Sequence, residues 1–227
     1  MLPWFASLLL ILSYNTAGHF PLDAAVDPQG NIWLLSSAEP SVLRLQPDGE
    51  TVRIELDMEG MPGGLAVSPT GRWAVSSPSD GRILVYDRND ILVREIPADS
   101  PGDLVFNGLE LWVVNTSMGS LGVAEGQTLA RDCAGRNTRI SSGGNGRILL
   151  NGSRGVLLFE QGQTIRSIAS SGSGSFSSNG ILLLQEGFLL TAEGDTLGSG
   201  LSGSWIASSV FGGPVVVWGS SGLSVVQ

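Results

Sequence analysis

Three short stretches of the sequence share a pattern that could hold a metal ion. Each begins with proline and stands directly before an apolar run of strand length: Pro21-Leu22-Asp23, Pro62-Gly63-Gly64 and Pro101-Gly102-Asp103. If the fold brings these stretches together, Asp23 and Asp103 converge and Gly64 leaves room between them. Carboxylates that meet in this way bind hard divalent cations through oxygen ligands, and the nearby Asn107 offers an amide oxygen of the same kind.

A simpler role for the two aspartates is also open. Aspartate often accepts a hydrogen bond from the backbone of its own turn, and this capping stabilises the turn without any ligand. The later parts of the sequence offer no matching carboxylates, which favours capping. We therefore expect no cofactor, and a divalent cation belongs only to the alternative in which the protein is an enzyme.

Other common catalytic and binding chemistries lack the residues that they need. His19 is the only histidine and Cys133 the only cysteine, so a Ser-His-Asp triad, a histidine metal cluster and an internal disulfide are excluded from the folded domain. The net charge of -9 argues against a surface for nucleic acid. No catalytic residue can be named from the sequence.

An internal repeat predicts the elements that position these side chains. Residues 24–56 lie over residues 65–97 without a gap, so that AVDPQGNIWLLSS matches AVSPTGRWAVSSP and VLRLQPDG matches ILVYDRND. Each copy contains four short apolar runs separated by turn residues. Four antiparallel strands in about 40 residues form one blade of a β-propeller.

The repeat continues in weaker form to the end of the chain. We count six units and predict an all-β propeller of six short four-stranded blades, with five blades as the alternative. The last unit stops after its third strand, so the segment before Asp23 is expected to supply the missing strand and close the ring. The serine-rich residues 170–178 are either a thin first strand of the fifth blade or a flexible loop that would tolerate insertions.

Two of the repeats resemble known propeller families. AVDPQGNIWLLSSAEPSVLRLQPDGE is similar to the NHL-repeat and streptogramin-lyase type propellers, and LAVSPTGRWAVSSPSDGRILVYD is similar to Tol-type and WD-type repeats. In these motifs Pro28 and Pro69 preset the turn, Gly30 and Gly71 adopt conformations unfavourable to other residues, and tryptophan fills the space between blades. The resemblance is good over residues 23–96 and faint after them. Because its motifs consist of turn and core residues, it implies architecture more strongly than activity.

The resemblance also bears on two kinds of enzyme. Streptogramin lyases use a histidine and a metal at the mouth of the propeller, and this chain has no histidine beyond His19. Gluconolactonase-like propellers hold a divalent metal with acidic and amide side chains of the innermost strands. Asp23, Asp103 and Asn107 are the residues here that such a hydrolase or lactonase would use.

A second group of carboxylates is predicted to form an acidic rim. In a propeller the loops between blades and the loops between second and third strands share one face, so several acidic residues fall on the same side as Asp103. They are Glu39, Asp57, Glu59, Asp80 and Asp99. The rim suits a basic partner, although a simply solvated face is the interpretation that the sequence favours.

The first residues have the outline of a secretory signal peptide. Met1 to Ser13 contain an apolar stretch of about ten residues, too short to span a bilayer, followed by small residues that allow cleavage after Gly18. We expect residues 1–18 to be a signal peptide and residues 19–227 to form one propeller domain. An uncleaved anchor and a buried first strand are the alternatives.

Taken together, these features predict a secreted or periplasmic propeller without catalytic activity. It would bind a protein or glycan partner, or another ligand, on one face of the ring, act as a monomer, and keep no stable membrane span after cleavage. The opposing hypothesis is a propeller enzyme of hydrolase, lactonase or lyase type with a divalent cation at the central channel.

Overall fold

The structure is a computed structural model that describes residues 12–13, 21–135, 137–160, 163–201, 203–219 and 222–226. Within these residues the fold is all-β, with 24 strands in six antiparallel four-stranded sheets. The sheets form the six blades of a β-propeller, as the repeat predicts. The N-terminal and other residues outside these ranges include the predicted cleavage site at Gly18.

The first three blades follow one another as simple meanders. Strand β1 (Leu12–Ser13) precedes them and belongs to the last blade. The first blade contains β2 (Pro21–Val26), β3 (Ile32–Ser36), β4 (Ser41–Leu45) and β5 (Thr51–Glu55). The second contains β6 (Gly64–Val67), β7 (Trp73–Ser77), β8 (Arg82–Tyr86) and β9 (Leu92–Pro97). The third contains β10 (Pro101–Asn107), β11 (Glu110–Asn115), β12 (Ser120–Val123) and β13 (Thr128–Ala130).

The second half repeats this order and closes the ring. The fourth blade contains β14 (Arg139–Gly144), β15 (Arg147–Gly152), β16 (Gly155–Glu160) and β17 (Gln163–Ala169). The fifth contains β18 (Ser173–Ser177), β19 (Gly180–Gln185), β20 (Phe188–Thr191) and β21 (Thr196–Gly198). The sixth contains β22 (Trp205–Ala207), β23 (Val215–Gly219) and β24 (Gly222–Val226), followed by β1 as its outermost strand.

Ring closure depends on the pairing of the two ends of the chain. Leu12 lies opposite Val225 and Ser13 opposite Ser224 in an antiparallel pair. The prediction that the N-terminal segment supplies the missing strand of the last blade is confirmed. Because β1 lies inside residues 1–18, cleavage after Gly18 would remove this strand.

The serine-rich segment is a strand and not a loop. Residues Ser173 to Ser177 form β18 and pair in register with β19, and Ser173, Ser175 and Phe176 are buried. Small serine and glycine side chains fit the crowded positions near the axis. A Cβ on Gly174 would lie 3.0 Å from the Val156 side chain, so the expectation that this stretch tolerates insertions does not fit its place in the sheet.

The core lies between the blades, where apolar side chains of neighbouring sheets interdigitate. Between the first and second blades, the ring centroids of Trp33 and Trp73 are 5.5 Å apart, and Trp73 stacks on Tyr86 at 4.0 Å. Gly30 and Gly71 have φ of 82° and 84°, which is the left-handed conformation predicted for the turns before these tryptophans. The repeat motifs are therefore turn and packing residues.

Candidate functional site: the central channel and its two faces

The propeller has two faces, which differ in the loops that form them. The aspartate face carries the loops that lead into the innermost strands, including Asp23 and Asp103, and the loops between second and third strands. The hairpin face carries the turns between first and second strands, such as those at Pro28 and Pro69, and the turns between third and fourth strands. Because every strand is antiparallel to the next, this division holds for each blade.

Asp23 and Asp103 connect neighbouring blades through backbone amides. The amides of Ala24 and Leu65 donate to Asp23 at 2.9 and 2.8 Å, one from its own strand and one from the second blade. Asp103 repeats this pattern across the third and fourth blades. It accepts from Leu104 at 2.9 Å and from Ile140 at 2.6 Å. Each carboxylate caps its own strand, as the simpler interpretation predicts, and also fixes the next blade.

Gly64 permits this arrangement by its lack of a side chain. A Cβ at this position would lie 2.5 Å from Cα and 2.6 Å from Oδ1 of Asp103. The expectation that Gly64 leaves room beside the carboxylates therefore agrees with the geometry.

Other polar side chains join the remaining blades near the axis. Ser76 Oγ donates to the carbonyl of Gly102 at 2.6 Å, between the second and third blades. Asn151 exchanges two hydrogen bonds with the backbone of Gly174, at 2.7 and 3.0 Å. Ser208 reaches Ser175 through its backbone amide and its hydroxyl, at 3.0 and 3.1 Å. These hydrogen bonds between polar groups connect neighbouring blades around the inner ring.

Arg139 occupies the channel at the aspartate face. Its guanidinium donates to the carbonyls of Leu22 at 2.7 Å and Gly63 at 3.0 Å, in the first and second blades. Its Nη1 lies 3.9 Å from Oδ1 of Asp103, and its charge lies over the ring of Trp205 at 5.8 Å. One side chain of the fourth blade therefore contacts four other blades and spans the channel at this end.

The electrostatics of Asp103 reflect its burial. The pKa of this carboxyl is raised well above the usual aspartate value. The first cause is burial, which disfavours the charged form, and the second is repulsion by the negative charge of Asp23. The positive charge of Arg139 opposes this rise. The two carboxyls and the guanidinium lie together at the floor of the channel.

The channel carboxyls do not fit a divalent cation. Each accepts two amide hydrogen bonds, and the cation beside Asp103 is the guanidinium of Arg139. Among the described residues, no three histidine, cysteine or acidic side chains are grouped as metal ligands. Asn107 lies at the far end of β10 from Asp103 and accepts from the Gly146 amide at 3.3 Å, so the structure separates it from both aspartates.

The five residues of the predicted acidic rim lie in loops of the aspartate face. Asp57, Glu59 and Asp99 are exposed, whereas Glu39 and Asp80 are half-buried. Glu39 pairs with Arg53 at 2.7 Å, and Asp80 lies 3.8 Å from Arg82. The rim is therefore only partly neutralised.

The rim loops also expose apolar side chains. Met61, close to Glu59, is 46% exposed, and Met118, next to the serine that hydrogen-bonds Asp99, is 51% exposed. We call these five carboxylates with Met61 and Met118 the acidic arc. It runs along the first three blades.

The channel above Arg139 contains a cavity of about 240 Å³. Its lining extends from Asp23, Asp103 and Arg139 at one end to the hairpin residues Pro28 and Phe211 at the other. Phe211 is 59% exposed on the hairpin face. A molecule would therefore enter the channel from the hairpin face, opposite the acidic arc.

Sequence reasoning missed Arg139, Trp205 and Trp218. Arg139 and Trp205 stand at the start of the innermost strands of the fourth and sixth blades, the slot that Asp23 and Asp103 fill elsewhere. The one signal that could have found them is this slot, but the repeat is too weak in these blades to align it.

Solved structures of other β-propellers are similar to this fold. A catalytically inactive histidine-to-alanine variant of virginiamycin B lyase from Staphylococcus aureus, solved with quinupristin, has a TM-score of 0.62 at 13% identity. The alignment covers 92% of this chain and 81% of the lyase. The Pan2 WD40 domain of Neurospora crassa has a TM-score of 0.65 at 9% identity, with 95% and 93% covered.

A propeller in a nidogen/laminin complex is also similar, with a TM-score of 0.61 at 13% identity over 80% of this chain and 79% of that one. No protein-family model matches the sequence, and no curated protein matches it significantly. At these identities the likeness establishes the fold alone. The fold is shared by lyases and by binding modules, so it does not decide between the two.

Proposed function

We propose that this protein is an extracytoplasmic, non-catalytic β-propeller that binds a protein partner through the acidic arc. The observation that carries the proposal is the combination of exposed carboxylates and exposed methionines in loops of one face. Carboxylates steer a basic partner towards the face, and flexible methionine side chains adapt to its apolar residues. The partner would be a basic segment with apolar side chains.

The contacts of the charged residues in the channel support the proposal that the protein is not catalytic. The carboxyls that an enzyme would use hold the blades together, and Arg139 stands where a cation would approach them. The part of the chain with known structure contains no helix long and apolar enough to cross a membrane. Export itself rests on the outline of the signal peptide.

The binding experiment compares two variants that remove the same charge. One carries Asp57→Asn, Glu59→Gln and Asp99→Asn on the acidic arc. The other carries Glu50→Gln, Glu193→Gln and Asp195→Asn, which are exposed on the hairpin face. The probe is a fluorescein-labelled peptide of alternating arginine and leucine, followed by fluorescence anisotropy.

The arc variant should bind the peptide about tenfold more weakly than the parent, because three partly screened ion pairs contribute about 0.5 kcal/mol each. The hairpin-face variant should bind nearly as well as the parent. Equal weakening in both variants would show that only net charge matters and would overturn the acidic arc as the binding site.

The enzyme alternative is tested separately by metal content. Protein purified without chelators should contain no stoichiometric divalent metal by plasma mass spectrometry. A full equivalent of metal that is lost in Asp23→Asn would instead favour the hypothesis of a cation-dependent hydrolase, lactonase or lyase.

A further inference from the structure

Two buried donors beside the channel cavity have no hydrogen-bond acceptor among the described residues. They are Nε of Arg139 and Nε1 of Trp218, and both side chains line the channel cavity. Trp218 is only 3% exposed, so bulk water does not provide an acceptor for its indole N–H. An unpaired buried donor destabilises a fold unless an acceptor reaches it. A molecule bound in the cavity could supply the acceptor oxygen that these two donors lack.

The walls of the cavity divide into an apolar and a hydroxyl side. Apart from Asp23 and Asp103, the lining from the first three blades is apolar, whereas the last three blades supply all of the lining hydroxyls beside apolar residues such as Ile206 and Val210. The residues are Ala25, Val67 and Val105 on one side and Ser141, Ser175 and Ser208 on the other. The three serines are fixed by hydrogen bonds to one another and to the backbone of Phe176. A ligand with one apolar face and several hydroxyls fits this division.

The charges at the floor select against ionic ligands. Asp23, Asp103 and Arg139 are the titratable or charged groups that line the cavity. An anion that approached Arg139 would also meet two carboxyls, and a cation that approached these would meet the guanidinium. The volume of about 240 Å³ is below the roughly 300–1,000 Å³ of sites for drug-sized ligands, so the ligand is small.

We propose that the channel is a binding site for a neutral, ring-shaped polyol of monosaccharide size, which enters from the hairpin face. A hexopyranoside has an apolar face of C–H groups, which would pack on the apolar side, and hydroxyls, which would face the hydroxyl side. An oxygen at its deep end would serve as the acceptor that Nε1 of Trp218 or Nε of Arg139 lacks. This site is independent of the acidic arc, because it opens on the opposite face.

The experiment follows the indole N–H resonances of the full chain by ¹⁵N NMR during titration with sugars. The probes are the methyl β-glycosides of glucose, galactose and mannose, with sodium acetate and tetramethylammonium chloride as charged probes. Trp218→Phe assigns the Trp218 resonance by its disappearance. At least one glycoside should shift this resonance saturably, and neither ion should do so.

Two kinds of variant test the location of the site. Val67→Phe fills the apolar side and should weaken sugar binding about tenfold or more. Trp218→Phe keeps an aromatic ring without the donor, and its binding, read from a second shifted resonance or by calorimetry, should be about fivefold weaker. Ala25→Leu replaces Val67→Phe if that variant does not fold. Leu92→Phe on exposed strand β9 is the control and should bind like the parent.

The results can overturn the proposal in three ways. The first is that none of the three glycosides produces a saturable shift at its solubility limit. The second is that the folded channel-filling variant binds as tightly as the parent. The third is that acetate or tetramethylammonium competes with the sugar, which would assign the site to an ion.

Discussion

Asp103 is a buried carboxyl group that joins two blades. It is only 3% exposed, and it accepts the amide hydrogen bonds that join the third blade to the fourth. Burial raises its pKa, so the folded protein holds the proton to a higher pH than the unfolded chain does. The folded state thus binds more protons between the ordinary value of 3.8 and the raised value.

This difference sets the sign of a pH effect. Where the folded state binds more protons, the free energy of unfolding falls as pH rises, so the stability from Asp103 is present at low pH and is lost as pH increases. Asp103→Asn cannot titrate. From about pH 4 to about pH 8, the melting temperature of the parent should therefore fall further than that of the variant.

Circular dichroism melts at several pH values measure this effect, and Asp99→Asn, in an exposed loop, controls for the loss of one charge. A constant gap between the melting curves of parent and Asp103→Asn across this pH range would contradict the raised pKa.

At the residue scale, the sequence predicted the capping role of Asp23 and Asp103 but not their hydrogen bonds to the next blade. The proline-led stretches place Asp23 and Asp103 in equivalent slots, and their capping role follows from residue type. Their partner Arg139 lies in a blade whose repeat has diverged. Its contacts with Leu22 and Gly63 join residues far apart in the chain, so no local pattern encodes them.

The strands of the sixth blade come from both ends of the chain. Strand β24 is paired on one side with β23 and on the other with β1. Its residues Leu223, Val225 and Val226 are buried, and they pack in the clusters that join this blade to its two neighbours. The blade therefore needs β24 for its sheet and for both of its interfaces.

Deletion of residues 223–227 should cause aggregation or unfolding. It would expose the edge of β23 and remove apolar packing from two interfaces. The control is an insertion of five glycine and serine residues between Glu193 and Gly194, in the turn between β20 and β21, where a longer loop adds little entropy cost. Light scattering and thermal melts compare them. A truncated protein that stays monomeric with an unchanged melting temperature would mean that the ring need not be closed.

Element prediction succeeded where the repeat is strong and was ambiguous where composition is unusual. The first two blades could be drawn from the sequence because turns and apolar runs alternate clearly. Strand β18 is rich in serine and glycine, which resembles a linker in composition. It forms a strand because it pairs with β19 and because small side chains fit the crowded positions near the axis. Both are tertiary effects that the intrinsic preferences of serine and glycine do not predict.

At the level of the whole molecule, the two faces of the ring have different properties. The aspartate face is spanned by Arg139 and bordered by the acidic arc, whereas the hairpin face opens into the channel. Under the two proposals above, the protein partner and the small molecule would bind to opposite faces and would not compete. The fold and blade number were predictable from repeat length, but this division needed the three-dimensional arrangement of the weak later blades.

Processing of the N-terminal segment is a prediction for the whole chain. Expressed with its leader in a secreting bacterium, the protein should lose residues 1–18, because the segment has the apolar core and small residues that signal peptidase requires. Intact-mass spectrometry measures this loss. Leu10→Arg, which interrupts the apolar core, should prevent it. Intact mass of the exported parent chain would favour an anchor or a retained strand.

The residues of β1 that pair with β24 also belong to the predicted signal peptide. Export machinery takes hold of an unfolded, apolar leader as soon as it is made, whereas blade six can take up Leu12 and Ser13 only after Val225 has been synthesised. Synthesis order therefore gives the export machinery the first opportunity. If residues 1–18 are a signal peptide, a processed copy lacks β1 and exposes the edge of β24, whereas a copy that keeps the segment closes its ring with β1.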